Sequence, residues 1–227
     1  MTEPRPPLRR DAWAWVAALA ILPLVVRSRG APWGEPVADD FDHLHHVLFA
    51  SHASVFDGGG SRSFWRPLAY QGYYGLLHGV ILTHPAWIAV LHVGLCVLCV
   101  LLLYDIARRH LPQPAAAVVA SFPILLESAR ALVIVPVHFV DLGMITFSVV
   151  AWWFAERGRL WPALAALLAA LLCKETAIAL ALVLPWLARI PPGASRRRWI
   201  VATGVLGALW AAAYLLVRRR LALELPH

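Results

Sequence analysis

Two aspartates stand side by side at Asp39-Asp40, and the chain's one lysine precedes a glutamate at Lys174-Glu175. Adjacent carboxylates just beyond an apolar run can supply a general base and a group that orients it or binds a cation. The plainer reading is a helix N-terminus, where aspartate is favoured by capping and by the helix dipole. Lys174 lies between two strongly apolar stretches. An ionised group there is costly and faces a cavity, a partner or a substrate. An internal ion pair with Asp141 or Glu127 would meet the same demand. Arg62 and Arg66 carry planar donor forks that suit phosphate oxygens, or anchor in lipid headgroups. Glu127, Arg130 and Asp141 are expected to line one cavity with Lys174.

Other constellations are weaker. His43 and His46 are three apart and would share a helix face, which invites a transition metal. No further Cys or His pattern completes a site, so no metal ligand is assigned, and a divalent cation stays open as a cofactor. Cys96-x-x-Cys99 sits among Leu95, Val97, Leu98 and Val100 without a second pair, and reads as small buried hydrophobes rather than zinc or redox chemistry. Gly58-Gly59-Gly60 lacks the Lys-Ser/Thr of a phosphate loop and reads as a flexible turn.

These residues need elements to hold them, and composition says what kind. Of the 227 residues, 60% are hydrophobic and 15% charged, and mean hydropathy is +0.67. A soluble domain of this size cannot hide so much apolar surface, so lipid covers part of it. Twenty basic residues against thirteen acidic give a net charge of +7. The arginines cluster beside apolar runs, at Arg9-Arg10, Arg108-Arg109, Arg157 with Arg159, Arg196 to Arg198 and Arg218 to Arg220. Such clusters frame membrane helices and meet anionic lipid, not nucleic acid. The expectation is an all-α, multi-pass protein of the cell membrane, a single domain over residues 1–227 with about seven transmembrane helices. Helix one covers residues 12–26 with its N-terminus inside. A large extracytoplasmic loop, residues 28–83, carries two interfacial helices, one bearing Phe41, Leu44, Val47 and Leu48, the other Tyr70, Tyr73 and Tyr74. Further helices are expected at 87–104, 115–127, 131–154 and 199–217. Residues 160–187 are either one helix of roughly 42 Å at ~1.5 Å per residue, or a hairpin turning near Lys174.

Six segments in this order, ADDFDHL (38–44), FWRPLAYQ (64–71), FPILLESA (122–129), HFVDLGMITF (138–147), LLCKETAIAL (171–180) and YLLVRRRL (214–221), resemble the GT-C membrane glycosyltransferases. The likeness is to the branch of protein O-mannosyltransferases and tetratricopeptide-repeat-linked transmembrane mannosyltransferases. It implies inverting transfer of a sugar from a polyprenyl-phosphate carrier to an acceptor on the extracytoplasmic face. It further implies Asp40, or failing that Asp39, as catalytic base, and Arg66, Glu127, Asp141, Lys174 and Glu175 as substrate-binding residues. Lys174-Glu175 would be the apex of a hairpin. Phe122-Pro123 and His138-Phe139-Val140 depart from the family's His-Pro and Gly-Arg. The resemblance covers only the family's N-terminal module, with the C-terminal module absent, so a partner chain is expected. The rivals are a non-catalytic scaffold subunit of a split enzyme, and a transporter with Asp141, Lys174 and Glu175 along its path.

Overall fold

The computed structural model describes residues 12–50, 54–61, 63–189 and 195–223. Arg9, Arg10, His52 and Arg62 lie outside them. Every regular element among the described residues is helical: α1 (Ala12–Leu19), α2 (Ile21–Arg27), α3 (Asp40–Phe49), α4 (Tyr73–Thr83), α5 (Ala86–Ala107), α6 (Gln113–Leu125), α7 (Ser128–Ile134), α8 (Phe139–Ala155), α9 (Leu160–Cys173), α10 (Ile178–Leu187) and α11 (Arg196–Leu223).

Three helical stretches, Ala86–Ala107, Pro136–Ala155 and Arg196–Leu221, are long and apolar enough to cross a membrane. A fourth candidate is α6 with α7, bent by 71° between them. Seven full spans were expected; the remaining apolar helices are shorter, and proline explains much of the difference. Pro23 has no N–H to continue a helix from α1, and the run breaks at Ala20. Val135 is extended before Pro136, so the single helix expected over 131–154 is two, α7 and α8. Pro123 lies inside α6, which ends at the extended Leu126.

The stretch 160–187 turns back on itself. α9 begins four residues after Glu156, and the Arg189 N–H beyond α10 donates to that same Glu156 carboxylate at 3.0 Å. Both arms therefore end at one end of the molecule, and the break falls at the extended Lys174. α9 packs along α8 more extensively than any other helix pair. Ala151 and Ala155 share one buried cluster with Ala163, Ala166 and Ala170, small side chains that let backbones approach closely. That cluster takes in α8 to α11, while a second joins α1 and α2 to α5, α6 and α7.

Both helices expected in the long loop form. In α3, Leu44 is buried and Phe41, Leu48 and Phe49 are exposed. The second opens with a π-helical turn, Leu68–Gly72, in which the Gly72 N–H reaches the Pro67 carbonyl at 2.8 Å. The extra residue in that turn shifts the helical register. Tyr70, Tyr73 and Tyr74 all end up buried rather than at an interface.

Candidate functional site

A cavity of about 820 Å³ opens between α3, the loop around Phe64 and the first turn of α8. Asp39, Asp42, Arg66, Tyr70, His138 and Asp141 are among its lining residues.

The chain enters α3 through a sharp bend. Ala38 takes φ +42°, a left-handed conformation unusual for a residue with a Cβ. The Asp40 carboxylate closes the bend by accepting the Val37 N–H at 2.8 Å, and it also accepts the Tyr74 hydroxyl at 2.5 Å. Asp40 is 0% exposed, and burial pushes its carboxyl above the usual carboxylate range despite these hydrogen bonds. The preferred base of the sequence reading is thus a buried structural acceptor. Asp39, one residue earlier and so rotated ~100° about the helix axis, is exposed and lines the cavity. The order of the two carboxylates as candidates reverses.

The glycine turn is not merely flexible. Gly59 and Gly60 have φ +56° and +91°, and a Cβ on Gly60 would stand 2.6 Å from the Asp42 carbonyl oxygen. Glycine is what lets this loop lie against α3. His43 Nδ1 lies 2.6 Å from the Gly59 carbonyl oxygen, and its ring stacks on Tyr70 with centroids 4.0 Å apart. Burial holds the His43 imidazole below its ordinary pKa. Asp57 ties the loop further. Burial opposes its ionisation, but the Ser54 and Gly59 N–H groups and the Gln71 amide outweigh this and hold the carboxyl below its ordinary value. His43 is therefore committed to the scaffold. No group of three or more His, Cys, Asp or Glu among the described residues is arranged to hold a metal ion.

Two ion pairs reach the cavity through one member each: Arg66 and Asp141 line it, while their partners Glu175 and Lys174 do not, and neither does Arg130, which was expected there. Arg66 Nε and Nη2 donate to the two oxygens of Glu175 at 2.9 and 2.6 Å, and its Nη1 donates to the Tyr70 hydroxyl at 2.8 Å. Its guanidinium also lies 4.2 Å over the Phe64 ring. Lys174 Nζ donates to Asp141 Oδ1 at 2.5 Å. The internal partner considered for Lys174 is thus Asp141. Glu127 is elsewhere: its side chain is 67% exposed, does not line this cavity and pairs with Arg27 and Arg130, each at 3.4 Å. Its expected place beside Lys174 is overturned, because the 71° bend after α6 turns that corner outward.

Sequence reasoning missed several residues. His138 carried no useful spacing by itself, yet it lies three before Asp141, so the first turn of α8 presents both to the cavity. At the opposite end of the molecule, Asp105 is 2% exposed and accepts from Arg108 at 2.8 Å, from Trp153 at 3.0 Å and from Arg157. Arg108 and Arg157 had been assigned to lipid headgroups; a buried carboxylate holds them instead.

No protein-family model matches the chain, nor does any curated protein or solved structure. What the cavity can do follows from its own chemistry. It offers the exposed carboxylate of Asp39, two more at Asp42 and Asp141, and one guanidinium, Arg66, already paired with Glu175.

Proposed function

We propose that the chain is the core module of a GT-C-like glycosyltransferase that takes its sugar from a polyprenyl-phosphate carrier at the extracytoplasmic face. In this reading the apolar segments form a bundle of seven membrane segments, two of which are the arms of the α9–α10 hairpin, whose apex is sunk below the outer surface. Each arm, 14 and 10 residues long, is too short at ~1.5 Å per residue for a ~30 Å hydrocarbon core. The observation that carries the proposal is the cavity itself, lined by exposed Asp39 and reached by the Arg66–Glu175 and Lys174–Asp141 pairs through Arg66 and Asp141. Asp39 takes the proton from an acceptor hydroxyl, whose oxygen attacks the anomeric carbon. The bond from that carbon to the carrier phosphate breaks, and the configuration inverts. Arg66 and Lys174 meet the charge that grows on the leaving phosphate.

The scaffold reading has one observation in its favour. Both cations are already engaged by carboxylates at 2.6 and 2.5 Å, as structural pairs would be. A phosphate must compete with Glu175 and Asp141 for them. The deciding experiment assays sugar release from a polyprenyl-phosphate donor by protein in proteoliposomes, with candidate partner chains added. Asp39→Asn should lower turnover ~10²–10⁴-fold, the usual effect of losing a positioned base. Unchanged turnover in that variant removes Asp39 from the role. Absence of turnover by the unmodified protein with every partner supplied replaces the enzyme reading with the scaffold.

A further inference from the structure

A second cavity, a groove of about 440 Å³, lies at the Asp105 end between the starts of α9 and α11. Its walls are Leu160 and Trp161 on one side and Arg197, Arg198, Val201 and Ala202 on the other. Asp105 binds Arg108 and Arg157 at this end, but Arg197 and Arg198 have no carboxylate partner among the described residues. Both are exposed, and Trp199 between them and Val201 is buried against the α8–α11 cluster, which fixes the rotation of α11. Below the arginines the surface is apolar. Val201, Val205 and Leu209 are exposed by 54%, 52% and 66% and follow one another at i, i+4 and i+8. That spacing makes a continuous stripe of roughly 12 Å along α11. Trp161, 71% exposed, stands at the mouth as an amphipathic ring does at a membrane boundary.

We infer that this groove is a binding site for one anionic phospholipid of the leaflet at that end, with the headgroup phosphate between Arg197 and Arg198 and an acyl chain along Val201, Val205 and Leu209. Two guanidiniums with no carboxylate partner among the described residues, above an apolar track, match the two halves of such a lipid. A soluble anion would use the arginines alone, whereas a phospholipid uses the arginines and the adjoining stripe together. The inference rests on the membrane reading of the helices and is independent of any catalytic activity.

The test is native mass spectrometry of the detergent-purified full chain, titrated with phosphatidylglycerol and, separately, with phosphatidylcholine of the same acyl chains. One phosphatidylglycerol should bind in preference to phosphatidylcholine, and excess inorganic phosphate should not displace it. Arg197→Gln with Arg198→Gln should weaken that binding roughly 30-fold, since an arginine at a membrane surface contributes ~1 kcal/mol. Arg218→Gln with Arg219→Gln, at the other end of α11, removes the same charge and should leave binding unchanged. Ala202→Phe narrows the groove without changing charge and should also release the lipid. Equal losses from the two arginine pairs would show diffuse attraction and overturn the site. Displacement by phosphate would overturn the lipid in favour of a soluble anion. Undiminished binding by the Arg197/Arg198 variant, whose exposed positions tolerate the change, would overturn it outright.

Discussion

One residue of helix rotation separates Asp39 from Asp40 and divides their roles. The sequence showed the pair; in the structure Asp40 is a buried acceptor at the start of α3, and Asp39 faces the cavity. Which residue would do which was not legible, because it depends on Ala38 adopting φ +42° and on Tyr74, thirty-four residues away, reaching back to Asp40. Asp40→Ala should therefore leave a buried hydroxyl and a backbone N–H unpaired. Each such loss costs ~1–3 kcal/mol, so the variant should melt well below Asp40→Asn, whose amide oxygen still accepts one bond. Thermal unfolding in detergent compares the two, and equal melting would refute the role. His43 predicts a pH dependence at the same scale. Its folded pKa lies below the ordinary 6.5, so the unfolded chain binds the proton more readily. The stability His43 contributes is full above 6.5 and is lost as pH falls towards its folded value. Asp40, raised by burial, acts in the opposite sense: its contribution is present at low pH and fades as pH rises through its folded value. The fall in melting temperature between pH 7.5 and 5.5 should consequently shrink in His43→Asn.

Helices were legible as elements wherever an apolar run was long, and illegible where a proline interrupts one. α5 and α11 contain their expected spans whole: α5 extends its span by less than a turn at each end, and α11 starts three residues earlier and ends six later. The spans that divide contain Pro23 and Pro136, whereas Pro123 is accommodated inside α6, which keeps nearly its expected length. Lys174 was the better signal. A lone lysine between apolar runs marked the turn of the hairpin, although only the return of Arg189 to Glu156 decides that it is one. The apex is held by Arg66, which ties the entry to the π-helical turn to the start of α10 through Glu175. This pair is 10% and 28% exposed, so its loss should fall between the ~1 kcal/mol of a surface bridge and the ~3–5 kcal/mol of a fully buried one. Arg66→Met and Glu175→Gln should each destabilise, and the double variant should lose less than the sum, with a coupling of ~0.5–3 kcal/mol. Strict additivity in thermal unfolding would mean the two elements are joined by something else.

Charge is distributed across the whole molecule so that each end has its own logic. The Asp39 end holds a cavity reached by two ion pairs, and the Asp105 end holds a knot of arginines around a buried carboxylate. The arginine clusters expected at lipid headgroups divide in two: Arg196 to Arg198 are exposed, whereas Arg108 and Arg157 are held by a buried carboxylate. The missing signal was Asp105, three residues before Arg108 and so on the same helix face. The proposed topology, read from the flanking charges, puts the Asp105 end inside. A cysteine at Ser61 should then react with an impermeant thiol reagent on intact cells, and one at Ser195 only after lysis. The native cysteines, all buried, give little background. The knot also joins the two halves of the fold. Asp105 belongs to α5, a helix of the cluster that joins α1, α2, α6 and α7, while Trp153 and Arg157 lie at the end of α8, a helix of the α8 to α11 cluster. Asp105→Ala removes the shared acceptor and leaves a half-buried guanidinium and an indole N–H without it, at a cost of ~3–5 kcal/mol for a buried pair broken on one side. Because the loss falls on the seam between the clusters, it should separate them rather than melt either. Limited proteolysis in detergent should cut the variant near residues 108–112 far faster than the unmodified chain, while α9 to α11 stay protected. If both halves become sensitive together, the clusters do not unfold separately, and the knot is one bond among many in a single cooperative unit.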